Sequence, residues 1–338
     1  MNRFGYLRAQ SVSEAVQALA AEPGARVIAG GTNLVDLMKY HVVRPSRLID
    51  IGRLPLDRIE DTAGGGLRIG ALVSNSAVAY DARVEERYPL LASAILASAS
   101  PQLRNAATTG GNLLQRTRCY YFYDAGTPCN KREPGSGCPA VDGVNRIHAI
   151  LGASPHCVAT HPSDMCVALA ALEATVEVTG PNGDRTIPFA EFHRLPGDRP
   201  DLDHTLEPGE LITAVALPPE GFARHHTYLK LRDRLSYAFA LVSVAAALEL
   251  AEGRIVRARL ALGGVAHKPW RDEEAERLLV GQAPDVASFA AAADRVLHDA
   301  RGLAHNDFKI ELARRAILRA LEQAAAGRPQ VQADKQIA

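Results

Sequence analysis

The sequence lacks net charge, long apolar runs and an abundance of aromatic residues. Lys+Arg and Asp+Glu number 38 each, and the formal net charge is zero, so no overall field attracts nucleic acid or an anionic membrane. No apolar run approaches the ~20 residues that a membrane-spanning helix requires. A hydrophobic content of 47% is enough for a buried core. We therefore expect a soluble globular protein whose partners are neither nucleic acid nor membrane.

Two further patterns are missing. The first six residues contain no hydrophobic core of a signal peptide, so we expect that this chain does not direct its own export and that it folds in the cytoplasm. No Ser/His/Asp or metal-hydrolase pattern is present either. We therefore predict no side chain that acts as an acid, base or nucleophile towards a substrate, and no catalytic residue in this chain.

Cysteine is scarce, and its odd number of five argues against a disulfide framework. Cys166 precedes an apolar helical segment and is expected to be a buried small residue. The other four are Cys119, Cys129, Cys138 and Cys157, in and beside a stretch at 115–147 with no sustained helical or strand period. Four thiolates are the number that an iron–sulfur cluster requires, and so long a loop inside a compact domain is usually functional.

The spacing of these four cysteines does not by itself identify their ligand. The intervening segments contain 9, 8 and 18 residues. Structural zinc sites commonly use C-x₂₋₄-C pairs, and bacterial ferredoxins use a short run of closely spaced cysteines. Neither pattern is present. A cluster is favoured over zinc by the ligand count and by the character of the loop, and a redox function becomes the first hypothesis.

The order of the predicted elements indicates two domains in the α+β class, because strands and helices do not alternate regularly. A helix is predicted at 11–20, and three helices are predicted at about 271–281, 285–300 and 307–325. The proline-rich segment 218–221 looks like a boundary. We predict a first domain at 1–221, a second at 222–326, and a polar tail at 327–338 that is disordered or ordered only against a partner.

Two glycine turns are candidates for holding a phosphate. The first follows a predicted strand and spans Ile28–Leu34, with glycines at 30 and 31, and it matches neither a Rossmann nor a P-loop pattern. The second spans Ala107–Leu113 and carries two threonines before its glycines. Paired glycines let backbone N–H groups approach an anion closely, and threonine hydroxyls can donate to phosphate or ribityl oxygens. A tight turn without a ligand is the alternative for each.

Together with Pro162-Ser163-Asp164 and Gly263-Gly264-Val265-Ala266, these turns resemble the FAD-binding subunit of molybdenum hydroxylases, the medium subunit of xanthine and carbon monoxide dehydrogenases. The resemblance extends to about residue 325. It implies a two-part FAD-binding domain of the vanillyl-alcohol-oxidase (PCMH) type, followed by a C-terminal α+β domain of the CO dehydrogenase flavoprotein type. It also implies that about 115–158 is an insertion into the first domain.

The resemblance assigns cofactor contacts to particular residues. The FAD pyrophosphate would lie between the two turns, Asp164 would accept from a flavin-side hydroxyl, and Lys230 would approach the isoalloxazine. Helix capping for Asp164 and an exposed strand lysine for Lys230 are the alternatives. The full implied set is Arg26, Val27, Ile28, Ala29, Gly30, Gly31, Thr32, Asn33, Leu34, Thr108, Thr109, Gly111, Asn112, Arg118, Asp164 and Lys230.

The text around the cysteines resembles two branches that carry a [4Fe–4S] cluster, the periplasmic-type aldehyde oxidoreductases and the 4-hydroxybenzoyl-CoA reductases. Segments 113–124 and 128–138 are more similar to the aldehyde branch. By this resemblance, Cys119, Cys129, Cys138 and Cys157 bind a [4Fe–4S] cluster. Nearby Arg116, Arg118, Lys131 and Arg132 would offset its negative charge, unless they are simply solvated loop residues.

The resemblance implies an electron-transfer subunit in a heterotrimer. A molybdenum-cofactor subunit would oxidise an aldehyde with water, and a subunit with two [2Fe–2S] clusters would pass electrons to the FAD of this chain. A partner's signal could carry the folded complex to the periplasm. A 4-hydroxybenzoyl-CoA reductase-like subunit, a stand-alone flavin oxidase and a zinc-binding scaffold with empty turns are the alternatives.

Overall fold

A computed structural model describes residues 1–333, and its first layer is a small parallel sheet. Strands β1 (Gly5–Arg8), β2 (Ala25–Ile28) and β3 (Arg47–Asp50) pair in the order β1-β3-β2. Helices α1 (Val12–Ala21) and α2 (Leu34–Lys39) connect them. Helix α1 begins where predicted, because Ser11 Oγ accepts from Glu14 N at 3.1 Å. The first glycine turn therefore lies at the carboxyl end of β2.

The second layer is an antiparallel sheet whose strands are separated by a long helical excursion. Its strands are β4 (Ile59–Asp61), β5 (Leu67–Gly70), β6 (Thr175–Gly180), β7 (Gly183–Pro188) and β8 (Leu211–Leu217), in the order β4-β5-β8-β6-β7. Between β5 and β6 lie helices α3 (Asn75–Ala79), α4 (Ala82–Arg87), α5 (Pro89–Ala97), α6 (Pro101–Ala106), α7 (Thr109–Leu113), α8 (Tyr120–Tyr123) and α9 (Asp164–Ala171), and α10 (Phe189–Phe192) follows β7. The second glycine turn and the cysteine segment belong to this excursion.

The third layer is a C-terminal antiparallel sheet covered by helices. Strands β9 (His226–Leu231), β10 (Val242–Ala251), β11 (Arg254–Gly263) and β12 (Trp270–Arg271) pair in the order β12-β11-β10-β9. Helices α11 (Glu273–Leu279), α12 (Val286–Val296) and α13 (Phe308–Ala325) follow. The apolar face predicted on the last helix is confirmed, since Ala313, Ile317 and Leu321 are buried in the core with β10 and Ile310 packs at its edge. The mixed helix and sheet content confirms the α+β class.

Helix α9 lies at the centre of the molecule. All eight of its residues are buried, and it packs against α5 on one side and against β10 and β11 of the C-terminal sheet on the other. Since it also contacts α7, it joins the second glycine turn to the C-terminal sheet. Among residues 1–333, no helix combines the length and apolar character needed to cross a membrane.

The start of the tail does not need a partner to be ordered. Gln330 N donates to Thr227 Oγ1 at 2.9 Å, and Gln332 Nε2 donates to Ser93 Oγ at 3.0 Å and to the carbonyl oxygen of Tyr228 at 2.8 Å. The expectation that the tail is disordered or needs a partner is therefore wrong for its described part, because the Gln332 side-chain amide bridges α5 and β9 and the Gln330 backbone binds β9. The remainder, 334–338, lies outside the described residues.

Candidate functional site

The first glycine turn presents a row of free backbone donors. Gly31 has a φ of +70°, which reverses the chain between β2 and α2. Within residues 1–333, the N–H groups from Gly30 to Leu34 have no hydrogen-bond acceptor. The side-chain Nδ2 of Asn33 is also buried without a partner, whereas its Oδ1 accepts from Arg116 N at 3.0 Å. Because unsatisfied N–H groups are costly, this cluster of donors fits an anion such as a diphosphate.

The absence of a side chain at Gly30 brings the two turns together. A Cβ at this position would overlap the carbonyl oxygen of Ala106 and touch Ala107, at the end of α6. Ala107 is the first residue of the second turn, and Thr108 caps α7. Only glycine therefore allows the first turn to pack against the start of the second.

The second turn differs from the first in its backbone hydrogen bonds. Thr109 N and Gly110 N donate to carbonyl oxygens of the β5–α3 connection, and Gly111 N and Asn112 N donate to Thr108. The N–H groups from Thr109 to Asn112 are therefore engaged within the chain, whereas Thr108 N has no acceptor among residues 1–333. Gly111 is exposed, and a Cβ there would meet only Thr108 Oγ1, at 2.9 Å. The contribution of this turn is open space beside the donors of the first.

Thr109 and Asn112 face the interior. The Thr109 hydroxyl is fully buried and donates to the Val73 carbonyl oxygen at 3.0 Å, so it is not directed at a ligand. Asn112 Nδ2 donates to Asn75 Oδ1 at 2.7 Å, and Asn112 Oδ1 accepts from Ser163 Oγ at 2.5 Å. The amide thereby ties the second turn to the N-terminus of α9. These two side chains hold the turn in place.

Asp164 and Lys230 form a buried ion pair with each other. Lys230 Nζ donates to Asp164 Oδ2 at 2.8 Å, and their side chains are 2% and 4% exposed. Tyr228 Oη donates to Asp164 Oδ1 at 2.7 Å, and burial together with the Asp164 carboxylate raises the pKa of Tyr228 well above its usual value. Both carboxylate oxygens are thus engaged within the chain, which the sequence did not predict. The pair fastens β9 to α9.

Loss of this pair is expected to destabilise the fold. Lys230→Met leaves the Asp164 carboxylate buried without its cation, so the free energy of unfolding should fall by roughly 3–5 kcal/mol. Urea unfolding measures the change. The matched control is Arg315→Met, which breaks an exposed pair with Glu311 and should cost less than ~0.5 kcal/mol. Equal stability of the two variants would contradict a structural role for the buried pair.

The two arginines assigned to the cofactor bind within the chain. Arg26 Nη1 donates to the carbonyl oxygens of Pro23 and Ala25 at 3.1 and 2.7 Å. Arg118 Nη1 lies 3.3 Å from Asp36 Oδ2 and 2.6 Å from Tyr123 Oη, which links α2 to α8. Arg118 therefore joins the helix after the first turn to the cysteine segment.

The four cysteines predicted as ligands line one cavity, although 38 positions separate the first from the last. Cys119, Cys129 and Cys157 are buried, and Cys138 is partly exposed. Burial raises the pKa of Cys119 to about 12 and that of Cys157 to about 11. Thiolates in such a cavity would need a compensating cation, which a bound metal would supply.

Hydrogen-bond donors surround the sulfur atoms. Ala159 N donates to Cys157 Sγ at 3.5 Å, and His148 Nε2 lies 3.1 Å from Cys119 Sγ. Backbone N–H groups also oppose the rise in thiol pKa by hydrogen bonding to sulfur. They are those of Tyr121 and Phe122 at Cys119, and those of Ala140, Val141 and Val158 at Cys138. Donors of this kind stabilise anionic sulfur.

The distances between the thiols distinguish between a single zinc ion and a polynuclear cluster as the bound group. Tetrahedral zinc with Zn–S bonds of about 2.3 Å places its sulfur atoms about 3.8 Å apart. Among residues 1–333, His161, Cys166 and His193 have their possible ligand atoms within 4.8 Å of one another. No three of the four cysteines lie this close together. The cavity therefore fits a polynuclear cluster better than a single zinc ion.

The burial predicted for Cys166 is confirmed.

A carboxylate that the sequence reasoning missed neutralises two of the nearby cations. Arg116 Nε lies 2.7 Å from Asp203 Oδ2, and the buried Lys131 ammonium pairs with Asp203 Oδ1. Burial alone would raise the pKa of Asp203, but Arg116 and Lys131 together bring it far below its usual value. Arg132 donates instead to carbonyl oxygens of the cysteine segment. No local pattern could indicate Asp203, because it lies more than 70 residues from both cations.

An α+β fold with a donor-rich glycine turn beside a thiol-lined cavity is suited to a protein that binds a diphosphate-containing cofactor, and comparison with known proteins specifies the class. Residues 2–220 match the family described as the FAD binding domain in molybdopterin dehydrogenase. Residues 226–324 match the CO dehydrogenase flavoprotein C-terminal domain. The chain belongs to the family of FAD-binding medium subunits of molybdenum hydroxylases, as the resemblance predicted.

Individual relatives agree with this assignment. The chain is 51% identical to the aldehyde oxidoreductase FAD-binding subunit PaoB of Escherichia coli, over 96% of this chain and 99% of that protein. It is 28% identical to the carbon monoxide dehydrogenase medium chain of Afipia carboxidovorans, over 96% and 97%. The fold is similar to quinoline 2-oxidoreductase from Pseudomonas putida, with a TM-score of 0.74, 28% identity and coverage of 97% and 98%. These relatives are oxidoreductase subunits, which confirms the predicted enzyme class.

Proposed function

We propose that this chain is the FAD- and [4Fe–4S]-binding electron-transfer subunit of a molybdenum-dependent aldehyde oxidoreductase, which converts an aldehyde and water to a carboxylic acid. The proposal rests on one observation above all, that four cysteines distant in sequence line one buried cavity ringed by N–H donors. The similarity to the aldehyde oxidoreductase subunit over nearly the whole chain supports the substrate class.

The residues of the first turn would bind the FAD diphosphate. The free N–H groups from Gly30 to Leu34, with Asn33 Nδ2, would donate to it, and Gly111 would leave room for it. Ion pairs within the chain would hold Arg118, Asp164 and Lys230 in place at the flavin, where the resemblance assigns them. When bound, FAD supplies the ability to exchange electrons singly with clusters and in pairs with an acceptor.

The cysteines would hold the cluster close to this site. Arg118 connects α2, which follows the donor turn, to α8, which follows Cys119. Elements joined in this way keep two cofactors at a fixed separation, as electron transfer between them requires. Cys119, Cys129, Cys138 and Cys157 would each supply one thiolate, and the buried N–H donors would stabilise the negative charge.

The proposed partners are a molybdenum-cofactor subunit and a subunit with two [2Fe–2S] clusters, in a heterotrimer. Aldehyde chemistry would take place on the former, and this chain would bind FAD and the [4Fe–4S] cluster. We propose that the complex folds in the cytoplasm and reaches the periplasm through a signal on a partner.

Co-purification of the natural complex tests this function. The expected result is three different subunits, with iron above the four atoms per complex that two [2Fe–2S] clusters contain, FAD in this chain and aldehyde-dependent acceptor reduction. Iron equal to the content of the [2Fe–2S] subunit alone would refute the cluster. Activity with an aryl-CoA thioester, and none with aldehydes, would refute the substrate class.

Gly111→Val is expected to block FAD binding while the fold remains intact. A Cβ at this position meets only one movable threonine hydroxyl within the chain, so the added bulk lies in the space proposed for the flavin. Flavin content of the purified complex measures the effect. Gly64→Ala, where a Cβ meets nothing within 4 Å, is the control and should retain FAD. Normal flavin occupancy in Gly111→Val would contradict the assigned position.

A further inference from the structure

His148 is the most closely engaged side chain at the cysteine cavity. Its Nε2 lies 3.1 Å from Cys119 Sγ, and the residue is 1% exposed. Its Nδ1 is buried and has no hydrogen-bond partner among the described residues. The contact with Cys119 is therefore the single hydrogen bond of the imidazole ring within residues 1–333. No other side chain there is hydrogen bonded to any of the four sulfur atoms.

The position of His148 is fixed from the C-terminal domain. Lys309 Nζ donates to the His148 carbonyl oxygen at 2.7 Å, and Asn306 Nδ2 donates to the same oxygen at 3.1 Å. The rings of Tyr120 and Tyr121 lie near the imidazole, and each ring centroid is 6.4 Å from that of His148. These contacts restrict both the backbone and the ring, so the distance to Cys119 is set by the fold.

We infer that His148 is a positioning residue that donates an Nε2–H hydrogen bond to the cluster-bound sulfur of Cys119 and thereby raises the reduction potential of the cluster. This inference rests on the proposed function, because it requires a cluster in the cavity. An iron-bound thiolate carries no proton, so only the imidazole can supply the hydrogen for a 3.1 Å contact.

The direction of the effect follows from charge. Reduction would add one electron to the cluster and break no bond, and in the test below the electron would come from the reductant of the titration. The extra negative charge is spread over the iron and sulfur atoms, so an N–H donor at sulfur stabilises the reduced state more than the oxidised one. Removing the donor should therefore lower the potential.

Variants of the intact complex test this effect by redox titration monitored by EPR spectroscopy. His148→Phe should retain iron and FAD. At the midpoint potential of the wild type, its ratio of reduced to oxidised cluster should fall roughly tenfold. This change corresponds to a midpoint potential lower by about 59 mV for a one-electron couple. His148→Gln keeps an N–H donor and should recover part of the shift. The control is His156→Phe, since His156 lines the same cavity but faces Asp198 at 3.7 Å.

If His148→Phe loses its cluster, a measurement on the wild-type complex tests the hydrogen bond directly. Pulsed EPR of the complex with isotopically labelled histidine should show coupling between the reduced cluster and an imidazole nitrogen. The coupling should persist in His156→Phe and disappear in His148→Gln. An unchanged midpoint in a fully loaded His148→Phe, or the absence of coupling in the wild type, would overturn the role of His148. Absence of the cluster from the wild-type complex would instead overturn the proposed function.

Discussion

Cys129→Ser should yield a complex that has lost the iron of this chain and has kept its FAD. Cys129 is one of only four thiols at the cavity, and a serine hydroxyl is a poor ligand for a cluster that prefers soft thiolates. The donor turn at Gly30–Leu34 belongs to a different layer of the fold, so flavin binding does not depend on this thiol. Iron and flavin analysis of the same preparation measures both outcomes.

The chain offers a matched control for this substitution. Cys166 is fully buried, lies outside the cavity and is replaced by alanine with little loss of volume. Cys166→Ala should therefore keep both iron and FAD. Retention of all the iron in Cys129→Ser would rule out Cys129 as a ligand, and loss of FAD together with iron from a folded complex would show that the two sites are not separable.

Gly30→Ala should abolish FAD binding even though it adds a single methyl group. The new Cβ would overlap the carbonyl oxygen of Ala106, which is backbone and cannot rotate away. The two turns must then separate, and the row of N–H donors moves away from the open space at Gly111. Flavin content and a flavin titration of the flavin-free complex measure the loss.

The outcome must be distinguished from general unfolding. Gly64→Ala introduces the same change at an unobstructed glycine and should bind FAD normally. The circular dichroism spectrum of Gly30→Ala should remain that of an α+β protein, because Gly30 and Ala106 are both exposed and lie outside the hydrophobic core. Wild-type flavin affinity in a folded Gly30→Ala variant would show that the close approach of the turns is not required for binding.

Local patterns predicted the elements that depend on a few neighbouring residues. Helix α1 begins at the serine cap that the sequence indicates, and α13 buries the stripe of residues spaced at helical intervals. The first glycine turn follows its strand as expected. The burial of Cys166 was likewise evident from its apolar neighbours. In each case the controlling interactions lie within about one or two helical turns.

The partners of charged and polar groups could not be predicted in this way. Asp164 and Lys230 were each assigned to the flavin from the family resemblance, and nothing in the sequence indicated that folding pairs them with each other across 66 positions. The hydroxyl of Thr109 was assigned to a phosphate or to the ribityl chain and instead faces the core. Buried polar groups take the partner that the packed chain supplies, and one sequence does not reveal which distant segment that will be.

The sequence by itself determined that this chain is an α+β subunit with a glycine turn suited to a diphosphate and four thiols in one irregular segment. Those features are encoded by residue type and short-range spacing. Tertiary structure decided that the N–H groups of Gly30–Leu34 are free whereas those from Thr109 to Asn112 are engaged, that four thiols distant in sequence line one cavity, and that Asp203 and His148 lie beside the cysteine segment. These facts depend on long-range packing, which fixes distances and hydrogen-bond partners that spacing along the chain does not determine.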